Sequence, residues 1–261
     1  MNPVINLNGA SVLVTRPEHQ SASLCELIDA CGGRPIRCPT LIIEAPDDET
    51  VAKQNIRNIQ NADIVIFLSV NAVAYGINLL QRCGQTLRSE AKIFAIGPGT
   101  AFKLREAGIK VSGVATPPFK SENLLAIPEL AAPVRKVVYI FSGEHGRAWL
   151  TMRLVERNAN VVAVTCYRRS APSQLNASAL RYLEQYGISV VTLMSVSAAQ
   201  NLWNLMSEGK RLWLKEAPLV VVSARVEQHC RVIGYQGKII VATCPTEESI
   251  LEGVYTVVSD L

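Results

Sequence analysis

The residues best equipped for chemistry cluster between positions 137 and 169. Ser142-Gly143-Glu144-His145-Gly146-Arg147 follows one apolar run, and Cys166-Tyr167-Arg168-Arg169 follows the next. Two glycines let a backbone approach a ligand closely, a helix start presents unpaired N–H groups at a positive dipole end, and Arg147 adds a rigid fork of donors. With Gly143 and Arg147 as binding candidates, such a turn favours an anion. Tyr167 and the two arginines beside it add a phenol and two guanidiniums. Each piece alone also has a plain structural use, as a tight turn, a surface arginine or an amphipathic tyrosine.

Small polar residues recur after other apolar runs. Thr15-Arg16, Ser69-x-Asn71, Gly97-x-Gly99-Thr100, Ser195-x-Ser197 and Ser223-x-Arg225 all stand where a strand is expected to give way to a helix. Any one of them can be a simple N-cap. As a set, joined by Arg16, Arg147 and Arg225, they fit a large polyanion held mainly by backbone N–H groups. Ser121, before the apolar pair Leu124-Leu125, adds one more helix start.

The elements that must position these residues alternate along the chain. Val137 to Phe141 reads as a strand, Trp149, Leu150, Leu154 and Val155 fall at helical spacing, and Val161 to Val164 reads as a second strand, a βαβ unit. Ser11–Thr15, Ile64–Leu68, Lys92–Ile96, Ser189–Met194, Leu219–Val222 and Lys238–Ala242 give further strands, with a shorter one at Val111–Ala115. Asp47-Asp48-Glu49-Thr50 opens a helix with acids at its positive end. Continuous Val/Ile/Leu runs alternating with helices predict an α/β fold with parallel sheets covered on both faces.

Composition narrows the functional classes. The chain has 261 residues, 49% of them hydrophobic, and 26 basic against 22 acidic residues without a dense Lys/Arg tract. Neither a nucleic-acid nor a membrane-surface binder is indicated. Seven cysteines without a C-x-x-C pair read as small core residues of a reduced compartment, and three scattered histidines offer no metal-ligand pair. No basic-then-apolar leader or membrane-length apolar run is present, so the cytoplasm is the expected location. Gly97-Pro98-Gly99-Thr100 is not G-x-G-x-x-G, and neither a P-loop nor a G-x-S-x-G elbow occurs.

The chain also repeats itself. Leu13 falls on Tyr139, Leu24 on Leu150, Ser69-Val70 on Ser195-Val196, Asn78-Leu79 on Asn204-Leu205 and Gly108 on Gly234, each pair 126 positions apart. Near-constant spacing over several elements argues for a duplication giving two similar doubly wound sheets, with ligand-facing turns at the strand ends. The repeat by itself places a boundary near Pro133.

Several of these segments, taken in order, resemble uroporphyrinogen-III synthases. They are Leu13-Val14-Thr15-Arg16-Pro17, Phe67-Leu68-Ser69-x-Asn71-Ala72-Val73, Ile96-Gly97-x-Gly99-Thr100-Ala101, Ser121-Glu122-x-Leu124-Leu125, Gly143-x-x-Gly146-Arg147-x-x-Leu150, Tyr167-x-Arg169, Ser195-x-Ser197-Ala198 and Val222-Ser223-x-Arg225. The resemblance implies a monomeric, cofactor-free enzyme of two similar doubly wound parallel-sheet domains joined by a two-stranded linker. Residues 1–38 with 170–261 would form one domain and 39–169 the other. It also implies closure of the linear tetrapyrrole hydroxymethylbilane to uroporphyrinogen III, with loss of water and inversion of the last ring. Strand ends facing each other across a cleft would then meet the substrate's carboxylates. Tyr167 matches the family's tyrosine proposed to donate a hydrogen bond to the leaving hydroxyl, a role open to a phenol, which ordinarily keeps its proton at neutral pH.

Leu68, Ser142 and Asn158-Ala159-Asn160 depart from the family's usual small hydroxyl, arginine and glycine. A second reading stays open from the residues themselves. Duplicated α/β lobes with helix starts facing a cleft equally suit a hinge-bending binding protein for an anionic metabolite.

Overall fold

The computed structural model describes residues 5–144, 146 and 148–260. In chain order, the first elements are β1 (Ser11–Val14), α1 (Ala22–Ala30), β2 (Arg34–Arg37), β3 (Ile42–Glu44) and α2 (Thr50–Asn55). Then come β4 (Ile64–Phe67), α3 (Val70–Arg82), β5 (Lys92–Ala95), α4 (Pro98–Glu106), β6 (Gly113–Val114), α5 (Ser121–Leu124) and α6 (Pro128–Ala131). They are followed by β7 (Val137–Gly143), α7 (Ala148–Glu156), β8 (Asn160–Ser170), α8 (Ala177–Tyr186), β9 (Val190–Leu193) and α9 (Val196–Leu205). The chain closes with α10 (Glu208–Glu216), β10 (Leu219–Val221), α11 (Ala224–Ile233), β11 (Ile239–Val241) and α12 (Glu247–Ser259). No helix among the described residues is long and apolar enough to cross a membrane.

The chain forms two compact units, Met1–Ile42 with Ser170–Leu261, and Ile43–Arg169. The sheet of the first runs β11-β10-β9-β1-β2, and that of the second β3-β8-β7-β4-β5-β6. Every registered strand pair in both is parallel. Pro39 to Ile42 travel with the first unit because Thr40 is tied there: its N–H donates to Thr15 O (3.1 Å), its hydroxyl reaches Ala198 O (3.3 Å), and its carbonyl accepts from Asn201 (2.8 Å).

In the first unit both sheet faces are covered. Leu13, Val191, Leu193, Leu219 and Val221 pack with residues of α9 and α11, while Val12, Val14, Val190 and Val220 pack with α1 and α12 on the opposite face. Leu24 and Ile28 of α1 lose all solvent contact, a burial worth roughly 1.5–3 kcal/mol each. In the second unit Ile64, Ile66, Val138 and Ile140 meet Leu124 of α5, Leu130 of α6 and Leu150 and Leu154 of α7. On the other face Phe67 and Phe141 stack at 4.9 Å, and Gly76 of α3 lies so close to Phe141 that a Cβ there would sit 2.6 Å from its ring.

The repeat explains the strand order. Displaced by 126 positions, β1 falls on β7, β4 on β9 and α4 on α11. Yet β1 and β2 pair with the later repeat's β9, β10 and β11, while β7 and β8 pair with the earlier repeat's β4, β5 and β6. The halves are exchanged. Each sheet acquires the doubly wound order 2-1-3-4-5 from pieces of both repeats, with β3 added beside β8 at the edge of the second, so no unit boundary falls near Pro133.

Some elements differ from the periodicity. Of the predicted apolar face of α7, Leu150 and Leu154 are buried but Val155 is 53% exposed, since two turns of helix present only a narrow stripe to the sheet. The strand expected over Val111–Ala115 shrinks to Gly113–Val114. The strand expected over Val161–Val164 instead runs through Ser170.

Candidate functional site

In a doubly wound sheet the ligand crevice opens beyond the carboxyl ends of the strands where the winding reverses. In the second unit that point lies between β7 and β4. Their last rungs pair Phe67 with Phe141, after which the chains diverge into Leu68-Ser69 and Ser142-Gly143. A cavity of about 290 Å³ opens there, bounded by Leu68, Ile96, Ser142, Gly143, Tyr167 and the segment Phe119-Lys120-Ser121.

Tyr167 reaches this cavity through an irregularity in β8. Thr165 pairs with Ser142 and Tyr167 with Gly143, so Cys166 is an extra residue on its strand. Such a bulge re-aims the side chain that follows it. The Tyr167 ring is 5% exposed and lies directly over Gly143. A Cβ on Gly143 would stand 2.6 Å from Tyr167 Cζ, so only glycine permits this approach. Glu144 N–H closes the turn by donating to Tyr167 O at 2.8 Å, and Gly146 N–H donates to Gly143 O at 3.0 Å. Tyr75 braces the ring with its own at 6.0 Å, its hydroxyl donating to Ile43 O.

Two polar side chains flank the phenol. Its oxygen is 3.1 Å from Ser69 Oγ and 3.5 Å from Arg169 Nη2, whose guanidinium carbon lies 5.8 Å from the ring centroid. Arg169 follows Tyr167 by two residues and so shares its face of β8. Ser69 is fixed as the N-cap of α3, accepting from Ala72 N–H at 2.9 Å. Lys120 and Arg169 bring two positive charges to the described lining against Glu144, a balance suited to an anionic ligand. Burial pushes the Cys166 thiol up to about 12, which leaves it protonated and a poor nucleophile.

The sequence candidates divide by unit. Ser69, Ser121, Gly143 and Tyr167 meet at the cavity, and Gly97 stands beside its Phe119, 3.6 Å separating a built Cβ from that side chain. Gly97 caps α4, Gly99 is exposed in its first turn and Thr100 is 4% exposed. Asn71 is buried in the first turn of α3 at 7% exposure. Arg147 lies outside the described residues. In the first unit, Ser195 caps α9 by accepting from Ala198 N–H (3.0 Å), and Ser197 is exposed in the next turn. Ser223 precedes α11 without a side-chain cap bond, and Arg225 is exposed in its first turn. Arg16 is paired with Glu247 at 2.6 Å.

Lys120 and Phe119 carried no sequence signal, and Glu144 carried one only as part of the turn from Ser142 to Arg147. Arg169 did, through its two-residue spacing from Tyr167, a spacing that puts both side chains on one face of a strand.

The chain matches the family profile described as Uroporphyrinogen-III synthase HemD over residues 22–252. It belongs to that family. The uroporphyrinogen-III synthase of Salmonella typhimurium strain LT2 is 31% identical over 231 residues, covering 87% of this chain and 92% of that protein. The Escherichia coli K12 enzyme of the same name is 28% identical over the same shares. Among solved structures, a mutant uroporphyrinogen III synthase from the extremely thermophilic bacterium Thermus thermophilus aligns with TM-score 0.59 at 16% identity, covering 97% of this chain and all of that one. Uroporphyrinogen-III synthetase from Helicobacter pylori 26695 aligns with TM-score 0.60 at 14% identity, covering 95% and 99%. At such identities the structures speak for the fold: two α/β units with parallel sheets.

Proposed function

We propose that the protein closes hydroxymethylbilane to uroporphyrinogen III in tetrapyrrole (haem) biosynthesis, with Tyr167 assisting loss of the substrate's hydroxyl. The observation that carries this reading is the phenol, held by the β8 bulge over Gly143 at the winding-reversal point of a family member's sheet. The phenol proton passes to the hydroxyl as its C–O bond breaks, water leaves, and the azafulvene that remains is attacked by the substituted carbon of the last pyrrole. The spiro ring so formed breaks that carbon's bond to its original bridge, and the bridge, an azafulvene in its turn, is attacked by the last ring's unsubstituted carbon to close the inverted macrocycle. The proton lost from that carbon restores the phenol. Nothing is oxidised or reduced, so the step calls for no electron carrier.

The rest of the work is positional, holding the linear substrate so that closure with ring inversion outruns spontaneous closure without it. Ser69, Asn71, Gly97, Gly99, Thr100, Ser121, Gly143 and Arg147 from the second unit are proposed to contact the substrate, with Arg16, Ser195, Ser197, Ser223 and Arg225 from the first. Lys120 joins them as a counter-charge to a carboxylate. We further propose that the compact units are the enzyme's domains and that it acts as a monomer in the cytoplasm, a reduced compartment in keeping with its seven free cysteines.

Incubation with enzymatically generated hydroxymethylbilane, followed by separation of the isomers, tests the assignment. The type III isomer is expected, and type I alone would refute it.

A further inference from the structure

The Tyr167 oxygen has one proton to give, and its neighbours decide where that proton points. Arg169 carries donors only, so its Nη2, 3.5 Å away, can only give a hydrogen bond to the phenol oxygen. Ser69 already accepts from Ala72 N–H, and its own proton has the phenol oxygen at 3.1 Å as a partner. If the phenol instead gave its proton to Ser69, that contact would be satisfied but no O–H would be left for a ligand. Resting on the donor role proposed for Tyr167, we infer that Ser69 and Arg169 both donate to its oxygen and thereby turn its single proton into the cavity. Arg169 is thus a positioning residue for the cyclisation.

The same arrangement serves the chemical step. As the phenol proton moves to the leaving hydroxyl and the C–O bond breaks, negative charge grows on the phenol oxygen. A guanidinium on one side and a hydroxyl donor on the other meet that charge without rearranging. A guanidinium is a permanent cation in proteins, so the assistance does not have to be switched on. The serine is held by the helix it caps, which fixes its oxygen before substrate arrives.

Variants at the two positions separate this arrangement from simple carboxylate binding. Arg169→Gln is expected to lower kcat roughly tenfold or more while KM stays within about threefold, and to raise the type I fraction as released substrate closes spontaneously. Arg169→Lys, which keeps charge and donors, is expected to recover part of that loss. Ser69→Asp preserves the α3 cap but offers the phenol only acceptors, so its kcat is expected to fall well below that of Ser69→Thr, which keeps both cap and donor. Melting midpoints measured alongside identify any variant that fails to fold, and the Arg169 pair decides alone if Ser69→Asp does. An Arg169→Gln enzyme altered only in KM, or a Ser69→Asp enzyme as fast as Ser69→Thr, would overturn the arrangement while leaving the synthase function standing. Wild-type protein that yields only type I product would bring down both.

Discussion

The two sheets share strand order and helix placement but finish differently where their winding reverses. In the first unit the protein's own groups bridge the crest between β1 and β9. The Thr15 hydroxyl donates to Thr192 O at 2.6 Å, Thr192 returns one to Leu13 O at 3.2 Å, and Arg16 is paired with Glu247. In the second unit the positions 126 residues away from Arg16 and Glu247 are Ser142 and Ser121, and both line the open cavity. A salt bridge in one copy has become two short hydroxyls around a space in the other. Duplication supplied two crests of one design, and the side chains at matching positions decided which would stay open.

The strongest way to break this comparison is at the phenol. Tyr167→Phe is expected to leave the fold intact and to lower turnover on the order of a hundredfold, with a larger type I share of product, because the ring keeps its packing and only the proton is lost. Turnover and isomer ratio at the wild-type level would show the open crest to be no more chemical than the closed one. Gly143→Ala comes next. Its methyl would overlap the Tyr167 ring at 2.6 Å, so the ring or strand must shift, at an expected 1–3 kcal/mol or so in denaturant titration with a loss of turnover alongside.

Much of this was legible in the sequence because it is local. Apolar runs followed by Ser69, Gly97, Ser195 or Ser223 announce strand ends and helix starts without reference to anything distant. The repeat was visible too, since a duplication leaves matching residues at constant spacing. What that spacing cannot express is which strands pair. β1 joins β9 rather than β4, an exchange that depends on contacts between residues some 180 positions apart, such as Val12 with Val190. Nor could it foresee that Cys166 would be skipped in the ladder, the step that lays Tyr167 over Gly143. Arg16 was hidden in another way: nothing local to a strand-end arginine announces that the helix carrying Glu247 will stand beside it and pair with it.

Acid sharpens the contrast between the units more gently. In the second unit Asp63 accepts Val137 N–H at 2.9 Å, and that bond, with Lys136, holds its carboxyl below the usual range; Arg82 and Lys53 do the same for Glu49. A carboxylate with a lowered folded pKa stabilises the fold above its unfolded value, about 4, and that contribution disappears as pH falls through the folded value. The second unit is therefore expected to weaken below about pH 4. With Trp203 and Trp213 of the first unit replaced by phenylalanine, Trp149 fluorescence reports the second alone. Asp63→Asn should flatten its acid loss, and an unchanged acid profile would remove Asp63 as a cause.

The smallest expected effect lies at the closed crest. Arg16 and Glu247 are each about a fifth to a quarter exposed, so water screens their attraction, and such a pair is worth roughly 0.2–1 kcal/mol. Replacing both by serine, the residues found at the matching positions of the second unit, should therefore move stability by no more than about 1 kcal/mol and leave kcat unchanged. Substrate affinity carries the finer information. If Arg16 also meets a substrate carboxylate, it must exchange Glu247 for that carboxylate, so Glu247→Gln should lower KM and Arg16→Ser raise it. Opposite shifts of this kind place Arg16 on the substrate, whereas a KM indifferent to both changes leaves the ion pair as a structural plug and confines ligand contact at this position to the serine pair of the second unit.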